Sequence, residues 1–248
     1  MTVAACAALV ERGDPDRFAA VMAAPVAARA RLFPLYAFNL EVARAPWVTK
    51  EPLIAEMRLQ WWRDVVAEER PRSHEVAGPL HALICEAGLP VAVLDTLIVA
   101  RQWDVYRDGF ADNVAFDGYL DATGGGLMWL SAKALGADPQ VETAARDLGW
   151  AVGLAGFLRA VPELELRGRV PLVDGRAEAV ARLAREGLAR YARGRRGVPK
   201  AAALTAWQTG RLLRQVAADP RVVAEGRMGL SEFARRGSLI WASLTGRI

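Results

Sequence analysis

At 248 residues and 53% apolar content, the chain can bury one large core and is too short for more than two domains, one being the simpler expectation. Its formal charge of +4 rests on arginine, with Lys50, Lys133 and Lys200 the only lysines; this is as readily a genome-composition effect as a partner signal, so it does not argue for nucleic acid and leaves anionic lipid or an acidic protein open. No apolar run approaches the roughly 18 residues of a membrane span, and Cys6, Cys85, His74 and His81 are too few and scattered for a disulfide framework or a zinc site.

The N-terminal segment lacks a basic start and meets charge at Glu11 and Arg12, so it does not read as a secretory signal, and the expected compartment is cytoplasmic. Asp14-Pro15-Asp16 opens a short helix that Pro25 ends. Leu32 to Trp47 follows, read as a helix opening near Pro34 and closed by Pro46. Leu35, Phe38, Val42 and Ala45 form its buried stripe, and Tyr36, Asn39, Ala43 and Trp47 form the neighbouring face. Tyr36 and Asn39 carry hydrogen-bonding groups, which either look into a polar cavity or satisfy nearby backbone.

Glu51 to Glu69 reads as an amphipathic helix with Ile54, Met57, Trp61 and Val65 inward; large aromatics at this spacing usually make core, so Trp61 and Trp62 are read that way. Shorter helices follow over Leu80 to Ala87 and over Val91 to about Tyr106. Asp104, Asp108 and Asp112 are spaced to line one helix face and would then favour a cation or an arginine. Gly109 and Asp112-Asn113 argue that the helix ends before the third, while Arg101 and Arg107 can neutralise the first two. A salt-bridged face is the preferred reading.

Phe116 to Leu135 is the next helix, and Gly124-Gly125-Gly126 within it implies close helix approach or room for a ligand, since each glycine costs roughly 1 kcal/mol against alanine. A helix from Asp138-Pro139 carries Val141, Ala145, Leu148, Val152 and Ala155 on one stripe, which Arg159 continues; Arg159 either meets an anion or a wet cavity, or reaches solvent as the helix frays before Pro162. The arginine-rich part from about 177 reads as three helices, Ala177 to Arg193, Pro199 to Ala218 and Val222 to Leu244, with Arg190, Arg193, Arg195 and Arg196 in a basic linker. With no period-two alternation and no repeats, the fold class is all-α over residues 1–248, a bundle of about eight to ten helices around a core or cavity.

Leu35-Tyr36-Ala37-Phe38 followed by Arg58-Leu59-Gln60-Trp61-Trp62, then Phe116 to Gly136, then Gly153 to Val161 with Arg167-Gly168-Arg169-Val170-Pro171-Leu172, resemble the squalene/phytoene synthase superfamily over about residues 14 to 175. The resemblance implies an isoprenoid-synthase-like bundle. It also implies enzymes that join prenyl diphosphates head to head, with two aspartate-rich helix motifs holding Mg²⁺ against the diphosphate.

This chain departs from both motifs. The first motif's aspartates fall at Ala43 and Trp47; in the second, Asn, Arg, Asp, Glu and Asp fall at Gly156, Arg159, Ala160, Glu163 and Leu164, so only Arg159 and Glu163 survive. The wording of the first stretch resembles the non-catalytic branch that includes a complex I assembly factor. The expectation is therefore a degenerate protein with no catalytic residues, no metal and no cofactor. Its partner would be a complex I subunit, an assembly partner or an isoprenoid-like ligand, with peripheral contact at the inner membrane in addition. Tyr36, Asn39, Ala43, Trp47, Asp104, Asp108, Arg159 and Glu163 are the candidate cavity residues. The alternative is a Mg²⁺-dependent head-to-head prenyltransferase, which would require Asp104, Asp108 and Glu163 to converge.

Overall fold

Two small side chains set the first corner of the chain. Thr2 caps α1 (Val3–Gly13), and the Asp14 carboxylate accepts from the Arg17 N–H at 2.9 Å to start α2 (Pro15–Met22) with Pro15 in its first turn. The structure, a computed structural model, describes residues 2–248.

The central helix, α3 (Val26–Arg44), starts well before Pro34 and carries it inside, so Pro34 is not its opening residue. Every residue from Leu32 to Leu40 is buried, and such enclosure offsets the hydrogen bond that a mid-helix proline forgoes. Leu35, Phe38, Val42 and Ala45 are all buried, as the stripe requires. The helix ends at Arg44, and Ala45–Trp47 continues as a 3₁₀ turn.

α4 (Pro52–Ala67) is rotated from its expected setting. Trp62 packs edge-on against Phe38 with ring centroids 5.4 Å apart, so Ala55, Leu59, Trp62 and Val66 face the core with Val65, while Ile54 and Met57 are exposed. Trp61 is half-buried, and His74 lies edge-on to both tryptophans while its Nδ1 accepts from the Val76 and Ala77 N–H groups. α5 (Ala77–Ala87) ends at Gly88 in the left-handed region, and α6 (Val91–Ala100) gives way to a 3₁₀ turn at Arg101–Asp104.

The next predicted helix divides into α7 (Asn113–Leu120), a π turn (Asp121–Gly125) and α8 (Gly126–Ala134). After a 3₁₀ turn at Pro139–Val141, α9 (Glu142–Leu166) runs straight through Pro162 instead of fraying before it. α9 crosses the π turn with backbone on backbone: a Cβ at Gly124 would overlap the Gly149 carbonyl oxygen, and one at Gly149 would overlap that of Gly124.

α10 (Ala177–Gly194) keeps its predicted extent to within one residue. The second tail helix is broken into α11 (Lys200–Ala203), a 3₁₀ turn (Leu204–Ala206) and α12 (Thr209–Ala218), where the Thr205 hydroxyl donates to the Ala202 carbonyl oxygen. The third is broken too. α13 (Arg221–Ala224) stops near Gly226, whose φ is 64°, and α14 (Glu232–Thr245) restarts behind the cap of Ser231. Among the described residues there are thus twelve α-helices of eight residues or more and two single turns, slightly above the expected range, and no strand. Of the expected basic linker only Arg195 and Arg196 lie outside a helix: Arg190 and Arg193 belong to α10, where Arg190 pairs with Asp117 and covers Trp150 and Arg193 pairs with Asp147.

Two apolar clusters fill the interior. One gathers α1 to α6 with parts of α8 and the tail, and the other gathers α7 to α13.

Candidate functional site

Between these clusters lies a cavity of about 430 Å³. α3 contributes Tyr36, Asn39 and Ala43, and the turn after it contributes Trp47. α9 faces them with Gly153, Gly156, Phe157, Ala160, Glu163 and Leu164, while Leu120, Leu127 and Met128 line the apolar remainder. The predicted polar face of α3 therefore does look into a cavity. Asn39 and Tyr36 are at most 6% exposed, yet the Tyr36 hydroxyl and the Asn39 Oδ1 have no hydrogen-bond partner. The hydroxyls of Ser131 and Thr205 beside Tyr36 donate to the carbonyls of Leu127 and Ala202, which leaves their oxygens able to accept from the Tyr36 hydroxyl. Burial raises the Tyr36 pKa, which the Arg17 guanidinium 5.1 Å from its ring opposes.

Asp104 is the buried acid of the cavity, 4% exposed. Arg101 Nη1 donates to its carboxylate at 3.2 Å and to the Tyr119 hydroxyl at 2.7 Å, and that hydroxyl donates to Asp104 at 3.0 Å. Burial opposes the Arg101 charge, Tyr119 and Asp104 more than offset it, and the arginine pKa is raised. Burial likewise raises the Tyr119 pKa. Glu163 stands at the mouth, 61% exposed, and accepts from Arg167 at 2.7 Å.

Two candidates lie elsewhere. Asp108 is exposed in the loop after the Arg101–Asp104 turn, because the helix that would have aligned it with Asp104 has already ended, and Asp112 serves as the cap of α7. Arg159 is on the outer side of α9, where it approaches Asp16 at 3.7 Å. The full run of α9 turns it to solvent, away from the cavity.

Several lining groups were not singled out beforehand as site residues. Arg17 enters from α2, Arg167 follows α9, and Tyr119 closes the triad with Arg101. Arg101 was read only as a neutraliser of carboxylates, and the signals for Tyr119 were its position within the glycine-bearing helix and the likeness of Phe116 to Gly136 to a family helix.

The positions of the missing aspartates are informative. Ala43, Trp47, Ala160 and Leu164 all line the cavity, so the wall on which a magnesium clamp would be built is present and apolar. Trp47 is covered by two guanidiniums, Arg167 and Arg169, each 4.9 Å from its ring. Arg169 also lies 5.3 Å from the Trp103 ring and donates to the Asp104 carbonyl oxygen, and burial lowers its pKa. The donor set does not fit Mg²⁺ and diphosphate: the two lining carboxylates are each bonded to an arginine, and such a site wants carboxylates free to share the ion with phosphate. Among the described residues no group of three or more His, Cys, Asp or Glu is arranged to hold a metal.

Comparison with known proteins places this geometry in a family context. The squalene/phytoene synthase family model matches residues 10–174. The chain is 27% identical over 169 residues to NADH dehydrogenase (ubiquinone) complex I, assembly factor 6 of Bos taurus, covering 66% of this chain and 51% of that one. It is 26% identical to the Homo sapiens protein of that name, covering 63% and 48%, and 30% identical to the Drosophila melanogaster homolog, covering 63% and 50%. The chain thus spans about half the length of the curated relatives it matches. A dehydrosqualene synthase crystal structure superposes with a TM-score of 0.81 at 15% identity, covering 99% of this chain and 97% of that one. The squalene synthase HpnC from Alicyclobacillus acidocaldarius gives 0.73 at 16% identity, covering 92% and 95%, and at such identities the likeness is one of fold.

Proposed function

Because this chain belongs to the squalene/phytoene synthase family and has arginine-bonded acids where a metal clamp would need free ones, we propose that it is a non-catalytic member acting in respiratory complex I assembly. The cavity then serves to bind an assembly partner or an isoprenoid-like ligand.

The observation that carries this reading is the cavity wall itself. Ala43 and Trp47 on one side, and Ala160 and Leu164 on the other, hold methyl, indole and isobutyl groups at the positions matched to the family's aspartates. Without carboxylates there, no Mg²⁺ neutralises the charge that develops when a diphosphate leaves. The relatives named as complex I assembly factors support the assembly role, and the preserved cavity with two unpartnered polar groups supports ligand binding. The alternative of a Mg²⁺-dependent prenyltransferase needs Asp104, Asp108 and Glu163 to converge; Asp104 and Glu163 line one cavity, but Asp108 is exposed in a loop outside it.

The test is deletion of the gene in its native cells, followed by native-gel quantification of complex I and pull-down of the tagged chain. The expected result is less assembled complex and co-purification of one of its subunits. An unaffected complex would sink the assembly role, and Mg²⁺-dependent turnover of prenyl diphosphates by the purified protein would sink the non-catalytic reading.

A further inference from the structure

α14 is built inside out. Its small residues Ser238 and Ala242 are the buried ones, while Phe233 is 89% exposed, Leu244 77%, and Ile240 and Trp241 60% each. At about 100° per residue, Phe233, Ile240 and Leu244 fall within about 40° of one another around the axis, opposite the buried pair. Trp241 stands about 60° to one side of that stripe and Arg236 about 40° beyond its other edge.

We propose that α14 is an interfacial helix that lays this apolar stripe on an anionic lipid bilayer. Two observations select lipid over a protein occupant. The first is charge. At the C-terminal end of the stripe Arg195 donates to the Ile248 carbonyl oxygen at 3.3 Å, Lys200 lies against Gly246, and Arg196 and Arg247 are exposed nearby. None of these four cations is in an ion pair with a described acidic side chain; Arg195 is held at the Ile248 oxygen and over the Tyr191 ring, which leaves Arg196, Lys200 and Arg247 for phosphate headgroups.

The second is the edge placement of Trp241, the residue type that sits at headgroup level when a helix lies in the plane of the interface; Arg236, beyond the other edge, is held by Glu232 at 2.6 Å.

Among the described residues no helix is long and apolar enough to cross a membrane, so the contact is peripheral. The proposal is independent of the cavity and of the assembly role, and vesicle binding is read separately from complex I levels.

The test uses the full chain with vesicles of phosphatidylcholine containing about a third phosphatidylglycerol at low ionic strength. The chain is expected to co-sediment, and to do so less at about 0.5 M salt. A Phe233→Ser, Trp241→Ser, Leu244→Ser variant is expected to bind about tenfold more weakly or worse while keeping its melting temperature, because the removed groups contact solvent. A Lys200→Gln, Arg247→Gln variant is expected to lose mainly the salt-sensitive part. No co-sedimentation at low salt, or undiminished binding by the apolar variant, overturns the proposal. So does self-association that the apolar variant abolishes while vesicle binding is unchanged, which would assign the stripe to a second copy.

Discussion

Asp104 holds more of the cavity than any other single acid. It is buried, it neutralises Arg101, and it accepts from Tyr119, so removing its carboxylate leaves a guanidinium and a phenol facing each other without an anion. Asp104→Ala is expected to destabilise the fold by about 3 to 5 kcal/mol, the usual cost of stranding a buried charge. Asp104→Asn, which still accepts from Tyr119, should cost clearly less, and urea denaturation of the two variants measures the difference. At this scale the sequence was partly readable. The i, i+3 spacing of Arg101 and Asp104 announced their pairing, whereas the third member, Tyr119, comes from 15 residues further on. Arg159 was open between an anion or wet cavity and solvent. It turns outward, half-exposed, to Asp16, while nothing local revealed that Pro162 would be carried within α9 or that the anion would be Asp16.

At the scale of elements, the crossing of α9 over the π turn fixes the cavity's width. The glycine run permitted this, and the contact explains why it is tolerated: Gly124 and Gly149 meet through backbone atoms, which no Cβ could share. Gly124→Ala should therefore cost at least about 2 kcal/mol through forced separation of the two helices. Gly118→Ala, at an exposed α7 position with nothing within 4 Å of its would-be Cβ, should stabilise by roughly 0.5 to 1 kcal/mol. Thermal denaturation of the pair checks both signs. Most helices were visible in the pattern because the periodicity is strong and prolines and glycines punctuate it. The facing of α4 was not. Apolar residues occur on both sides of that helix, and only the seating of Trp62 on Phe38 decides which side is buried. α14 was legible as a helix but not as an inverted one, since a stripe of large apolar residues reads the same whether it faces core or solvent.

Across the whole molecule, Asp16 ties the two ends of the chain together. From α2 it receives Arg235 of α14 at 2.6 Å and Gln208, just before α12, at 2.9 Å, with Arg159 of α9 at 3.7 Å. These residues are separated by up to 219 positions, so the contact is invisible to any local reading. Asp16→Ala is expected to cost only about 1 kcal/mol globally, because its carboxylate is partly solvated. The loss should concentrate at the tail: amide exchange in α14 is expected to speed up several-fold while α3 and α9 keep their protection. Equal acceleration in all three would show that Asp16 supports the fold as a whole instead of fastening its C-terminal end. The all-helical architecture itself needed no such long-range knowledge, since it follows from the absence of alternating patterns and agrees with the superposition on dehydrosqualene synthase.

The indole of Trp47 also decides how the cavity wall would take up an acidic side chain. Arg167 and Arg169 cover it from 4.9 Å, and Arg169 is itself anchored to the backbone at Asp104. An aspartate at 47 would set a carboxylate beside two resident guanidiniums. A Trp47→Asp variant is thus expected to hold an internal ion pair at the cavity wall, so that one substitution there changes the charge pattern of the cavity as well as its shape.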